Sequence, residues 1–270
     1  MMPEDIAGRW RPEGRRPADG SDWDARAGLF DTPVPGPEDP FVALVLGKSR
    51  PDPSFSTLLD IGCGTGTYSL AMASRFRSVL GLDISPAMIG RARRKAEERG
   101  ASNAEFRVSD WSAADAGRIG RHSVVIAHMT PAISSPETFA KMEAVSGGWC
   151  FYSGYISRGN PVWDEVYRIT GIPGALTESD RLLYAVDILW KAGMRPRIEY
   201  IREHRSRMLS EEEALSVYLD GARAFADISP VQEREIADAV RSRLEDGRLR
   251  DESDPVIGTV YWNTEENADE

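Results

Sequence analysis

Three glycines at alternate positions, Gly62, Gly64 and Gly66, follow the apolar run Leu58-Leu59-Asp60-Ile61 and precede a stretch of helical character. So glycine-rich a turn is tight and lets a ligand come up against backbone. Related turns hold dinucleotides, and charge separates the two readings. Asp60 lies just before the first glycine, where a carboxylate suits an ammonium group and opposes a pyrophosphate. The spacing is Gly-x-Gly-x-Gly, not the dinucleotide pattern Gly-x-Gly-x-x-Gly. Asp83 closes the next apolar run, about 20 residues after the turn, where an acid accepts hydrogen bonds from ribose hydroxyls. A ligand with a ribose and a cationic end satisfies both acids. Further on, His128-Met129-Thr130-Pro131 ends a fourth apolar run. His128 suits either a general base for an acceptor hydroxyl or amine, or a hydrogen-bonded histidine at a strand end. Cys63 is a small residue in a tight loop rather than a nucleophile.

The elements that must position these groups alternate. Strands are predicted at 58–61, 79–83, 104–109, 123–128 and 148–154, with helices between them. Ser85-Pro86 and Ser135-Pro136 each supply an N-cap serine and a proline at the first helical position. This alternation predicts an α/β fold, a doubly wound, Rossmann-like, mostly parallel seven-stranded sheet. The second half adds an amphipathic helix over 179–193, with Leu182, Leu183, Val186, Leu189 and Trp190 on one face, and a long sixth strand over 197–208. Two capped helices follow, one opened by the capping box Ser210 to Glu213, the other by Ser229-Pro230-Val231-Gln232. The last strand is expected at 256–262. A helical insertion, 209–250, therefore separates the last two strands of a domain covering 21–270, and residues 1–20 read as a disordered arm without apolar periodicity.

The run from Asp60 to Gly66 followed by Leu82-Asp83-Ile84-Ser85-Pro86-Ala87-Met88 resembles the class I S-adenosylmethionine-dependent methyltransferases, and their small-molecule branch most. The resemblance covers about Trp23 to Gly154 in motif order. It implies S-adenosylmethionine as cofactor and S-adenosylhomocysteine as product. The glycine loop, with Cys63 and the Asp60 acid, would lie under the methionine part, Asp83 would hold the ribose, and Ile84 and Met88 would pack on the adenine. Asp110-Trp111 resembles the acid that receives the adenine amino group and the side chain that covers it; an N-cap acid before a core aromatic would look the same. The segment Ser21 to Ala27, with Trp23, resembles the short helix that closes over the cofactor, although Trp23 would equally staple an arm to the core. His128 falls where the cofactor and acceptor meet.

The 33 Lys and Arg against 43 Asp and Glu leave a net charge of −10, which repels a phosphate backbone, so no nucleic-acid partner is expected. The Asn or Asp with two prolines and an aromatic that base-methylating members carry is also missing after strand four. No apolar run is long enough for a membrane span, two cysteines give no disulfide framework, and three histidines lack ligand spacing, so a cytoplasmic protein without a metal is expected. The acceptor expected is a small molecule, methylated at oxygen or nitrogen by in-line displacement. Trp149, Tyr152, Tyr155 and Trp163 are candidates to line its pocket. The insertion's apolar faces would roof that pocket or seat a homodimer. Two other functions stay open: a module that binds the cofactor without turnover, and a nicotinamide-dependent oxidoreductase, which Asp60 and the glycine spacing disfavour.

Overall fold

The computed structural model describes Trp10 and residues 19–171, 176–225 and 227–266, with the side chains of 176–179 and 224–225 excepted. Its main sheet has seven strands: β1 (Thr57–Ile61), β2 (Ser78–Asp83), β3 (Ala104–Val108), β4 (His122–His128), β5 (Ser146–Ser157), β6 (Arg197–Arg202) and, last in the chain, β10 (Val256–Asn263). They lie in the order β3-β2-β1-β4-β5-β10-β6. β1 to β5 are parallel, and β10 runs antiparallel to both β5 and β6, so β6 points the same way as the first five. The expected doubly wound, mostly parallel sheet is the one observed.

Each strand of a parallel sheet has both faces covered, which is why these segments read as nearly unbroken apolar runs. On one face Leu59, Ile61, Val125, Ala127, Val260 and Trp262 pack against Phe139, Met142, Leu182 and Leu189. On the other, Leu58, Val124, Ile126, Phe151 and Tyr261 pack against Phe41, Val42, Met72 and Phe76. The helices start where their caps stand. Ser85 accepts from Met88 N ahead of the helix Pro86–Glu98, and Ser135 forms a capping box with Thr138 ahead of Pro136–Ala144.

Several expectations are corrected. In the helix Leu176–Lys191, Leu182, Ala185 and Leu189 are buried, whereas Leu183 and Trp190 are 61% and 73% exposed. The i, i+3, i+7 set fixes the inner face, and those two lie one step off it. Two helices, Pro40–Ser49 and Pro161–Thr170, were not expected; both are opened by an Asp or Asn cap and a proline. The arm 1–20 lies outside the described residues except for Trp10, Asp19 and Gly20. Trp10 is fully buried against Phe139 and Tyr184, and its indole N–H donates to Ile133 O at 3.3 Å.

The long sixth strand is two strands. β6 ends at Arg202, and β7 (Arg205–Ser210) leaves the main sheet to pair with β9 (Arg248–Ser253), which also pairs with the short β8 (Leu244–Glu245). The insertion therefore runs from 203 to 255 and is mixed. It carries the helix Glu211–Leu215, a π turn at Ser216–Asp220, the helices Gly221–Phe225 and Pro230–Arg241, and a three-stranded antiparallel sheet. Both capping boxes are formed as expected. The insertion has its own core, in which Leu209, Tyr218, Ile236 and Val240 close on Val162 and Val166 of Pro161–Thr170. A polar knot ties the two: buried Asp251 accepts from Tyr218 OH, from Asn160 Nδ2 at 2.7 Å and from Arg207 Nε at 2.7 Å. No helix among the described residues is long and apolar enough to cross a membrane.

Candidate active site

The glycine turn sits at the carboxyl end of β1. Gly62, Gly64 and Gly66 all have positive φ, at 66°, 54° and 75°, a region open to glycine at no steric cost. Their surroundings differ. A Cβ at Gly62 would overlap the Thr130 hydroxyl, and one at Gly66 would come within 2.8 Å of Phe106 and 2.9 Å of Ala92. A Cβ at Gly64 would meet nothing within 4 Å. Two glycines are thus demanded by the protein's own packing, while the middle one faces open space.

Two carboxyl groups flank that space. Asp60 is buried, its Oδ2 accepting from Ser69 Oγ at 2.6 Å. Burial, with the Asp83 charge nearby, pushes its pKa up to about 7. Asp83 Oδ2 accepts from Gly64 N and Oδ1 from Ser85 N, both at 2.9 Å, so the second acid pins the middle of the glycine turn. Burial raises the Asp83 pKa as well. A buried carboxyl hydrogen-bonded to Ser69 and to no cation is a group short of a cationic partner. Cys63, also buried, has its thiol pushed well up by the same burial and is inert at neutral pH.

The segment before the sheet closes over the end of β2. Asp24, in the helix Gly20–Asp24, accepts from Ser85 Oγ and from Ala87 N at 2.9 Å. A Cβ at Gly20 would touch Ile84 O at 3.0 Å, and Trp23 packs edge-on to Phe30. Phe30 O in turn accepts from Thr65 Oγ1 at 3.0 Å, while Lys95 joins Asp31 at 2.8 Å to Thr65 at 3.0 Å. Trp23 therefore stands on a segment fastened to the glycine turn and the Pro86–Glu98 helix. Sequence reasoning missed Asp24 and Lys95. An acid one residue past Trp23 was the available signal for the first, and nothing local marks the second. Met88 is buried beside Ile84, with its N–H given to the Ser85 cap.

Of the next two expected site residues, one lies at the surface and one in the core. Asp110 is exposed and folds back on its own turn, accepting from Ser112 N at 2.8 Å and Ser112 Oγ at 2.9 Å. Trp111 is buried in the core, donates to Thr138 O at 2.9 Å and lies under Lys141. Its ring is part of the packing against Pro136–Ala144, so a covering role is corrected.

On the other side of the glycine turn, His128 ends β4. It stacks on Phe41, ring centroids 3.8 Å apart, and meets Tyr68 edge-on at 4.3 Å. Its Nδ1 is enclosed with no hydrogen-bond partner. Burial, helped by the Arg205 charge, holds its pKa down at about 3. The ring is therefore a neutral imidazole at neutral pH. Met129, next in the chain, has φ 53°, a left-handed conformation that costs a non-glycine residue about 1–2 kcal/mol. That strain carries the chain around to Thr130, which fills the space above Gly62. Among the four aromatics proposed for the acceptor pocket, Tyr152 is in the core, Trp149 packs near Phe151 and Tyr261, and Trp163 packs on Tyr218. Only Tyr155 reaches the carboxyl edge, where its hydroxyl accepts from Arg205 Nη1 at 3.1 Å.

Residues 54–145 match the family described as "Methyltransferase domain". The ubiquinone biosynthesis O-methyltransferase of Leptothrix cholodnii is 35% identical over 101 residues, 36% of this chain and 43% of that protein. A 23S rRNA (uracil(1939)-C(5))-methyltransferase of Xanthomonas campestris pv. campestris is 35% identical over 68 residues, 25% of this chain and 15% of that protein. The chain thus spans less than half the length of these curated relatives. The solved structure of a putative methyltransferase from Bacillus halodurans C-125 superposes with a TM-score of 0.52 at 16% identity, covering 82% of this chain and 97% of that one, which shows a shared fold.

Proposed function

From the premise that this chain is, in domain and fold, a class I S-adenosylmethionine-dependent methyltransferase, we propose that it methylates a small molecule. The observation that carries the reading is the open space at Gly64 between two acids of raised pKa. The residues present fit the cofactor. Asp60 would face its ammonium group, Gly64 would let its methionine part lie against backbone, and Asp83 has lone pairs left for ribose hydroxyls. When bound, the cofactor supplies a methyl group already activated by a sulfonium. The segment 19–32 would close over it and exclude water. Alignment of the acceptor is what remains for the protein to do, and orientation alone can supply roughly 7–11 kcal/mol.

A small acceptor is supported by the insertion, which springs from the carboxyl end of β6, and by the net charge of −10. The rRNA-methylating relative favours a second reading, an RNA acceptor, which the acidic balance opposes. Calorimetry tests the cofactor: heat is expected from S-adenosylmethionine and S-adenosylhomocysteine and none from NAD. Tight NAD binding with silence from both sulfur nucleosides would sink the reading. Transfer of labelled methyl to RNA fragments, and to no metabolite fraction, would establish the second.

A further inference from the structure

The segment 19–32 is tied down at two places on the helix Pro86–Glu98. At the first, Asp24 accepts from Ala87 N at 2.9 Å and from the Ser85 cap. At the second, the Lys95 ammonium is enclosed by oxygens: Asp31 Oδ1 and Thr32 O at 2.8 Å, Thr65 Oγ1 at 3.0 Å and Thr67 Oγ1 at 3.4 Å. The Lys95 side chain is 13% exposed, so this ion pair escapes much of the solvent screening that weakens surface pairs. Thr65 stands inside the glycine turn and donates to Phe30 O at 3.0 Å. The segment is thereby held in register with the residues around the open space at Gly64.

Between those two anchors Arg26 reaches the insertion. Its Nη2 donates to Asp220 O at 3.4 Å, and its guanidinium lies 5.6 Å from the Trp23 ring centre, within cation–π range. Asp220 ends the π turn Ser216–Asp220, and its carboxylate is engaged inside the insertion. Oδ1 accepts from Arg223 Nη1 at 2.9 Å and Oδ2 from Ser216 Oγ at 2.7 Å, so the arginine meets the backbone carbonyl. The next residue, Gly221, is pressed on Trp163; a Cβ there would come within 2.5 Å of the ring. Trp163 packs on Tyr218 with centroids 5.3 Å apart, and the Tyr218 hydroxyl donates to Asp251 in the polar knot. A shift of Asp220 is therefore resisted by the insertion's own core, while Arg26 is carried by the segment over the cofactor site. Both sides of the contact are braced, across 194 residues of sequence. π turns are rare in helices and gather at functional sites.

We propose that Arg26 is a positioning residue that carries cofactor occupancy to the insertion, setting the π turn in place once the cofactor is bound; this rests on the reading of the site as an S-adenosylmethionine site. A ligand shifts an equilibrium only by what it contacts in one state and not in the other. A cofactor under 19–32 touches that segment when it is fastened, and Asp220 is braced by Arg26 in the same arrangement. Occupancy of one site then steadies the other part, and no residue of the insertion has to touch the cofactor.

The test uses the full chain and S-adenosylhomocysteine, with backbone-amide hydrogen exchange as the readout. Binding is expected to slow exchange at 20–25 and, about fivefold or more, at 216–223, fivefold being the low end of coupling between sites. Arg26→Ala should keep the protection at 20–25 and lose that at 216–223. Arg26→Lys, which still has a donor and a positive charge, should recover part of it. Equal protection of 216–223 in wild type and Arg26→Ala would overturn the proposal, as would a wild type protected at 20–25 alone. A folded Arg26→Ala that no longer binds would make Arg26 a cofactor ligand and overturn it too. Absence of S-adenosylhomocysteine binding to the wild type in calorimetry would instead bring down the reading it rests on.

Discussion

Asp60 and Asp83 enter the folded state against an electrostatic penalty, because each is buried near the other and neither has a cation beside it. A carboxyl whose folded pKa is raised stabilises the fold fully below its unfolded value, 3.8, and that contribution is lost as pH rises through the folded value, here about 7 for Asp60. The empty protein should thus lose this stability between pH 3.8 and about 7, and a bound ammonium group should restore it above that window. The rise in Tm given by saturating S-adenosylmethionine is expected to be larger at about pH 8 than at about pH 6. An equal rise at both would show that Asp60 does not face the cofactor's charge. Asp83→Asn should weaken cofactor binding by about 1.5–3 kcal/mol, the range for a hydrogen bond to a charged group, with far-UV circular dichroism unchanged. The placing of these acids was legible in the sequence because it is local: each stands at a fixed step from the glycine turn. The roles of Trp111 and His128 depend on partners far along the chain, Thr138 for one and Phe41 and Arg205 for the other. No spacing rule reports whether an indole faces a cleft or a helix.

Among the elements, the turn between β1 and the helix Thr67–Met72 offers the sharpest contrast. Gly62→Ala and Gly64→Ala add the same methyl group at similar φ, so both carry about 1–2 kcal/mol of left-handed strain. Gly62→Ala also drives that methyl into Thr130 and should lower stability by about a further 1–3 kcal/mol, read by urea denaturation. Gly64→Ala meets no protein atom and should unfold nearer the wild type while losing cofactor affinity in calorimetry. If both variants lost only stability, the space at Gly64 would not be the cofactor's. Helix starts were readable from their caps, Ser85, Ser135, Ser210 and Ser229, since a cap is chemistry within four residues. The break after Arg202 was not. The chain is polar throughout 202–207 with no turn signal, and it changes sheet because β6 finds Val256–Tyr261 and β7 finds Arg248–Ser253, partnerships made some fifty residues away.

Taken whole, the molecule is a sheet that holds a cofactor site and an insertion with a core of its own. Replacing the whole of 210–249 would cut β9, so the test of the roof is replacement of residues 204–254 by a Gly-Ser linker, with Val162 and Val166 made polar to cover the bared helix. Cofactor binding should persist and methyl transfer should disappear; retained turnover would mean that acceptor recognition lies in the sheet half. The linker can be short because Glu203 N donates to Pro255 O at 3.1 Å, next to the paired Arg202 and Val256. A segment that departs and returns across one hydrogen bond asks nothing of the sheet in spacing or direction. Lengthening it adds little, since each doubling of a flexible loop costs only about 0.6 kcal/mol in closure entropy. Residues 203 and 255 are in that sense a socket. The insertion can be inherited, lost or exchanged as a cassette, at a different pace from the sheet that it leaves and rejoins.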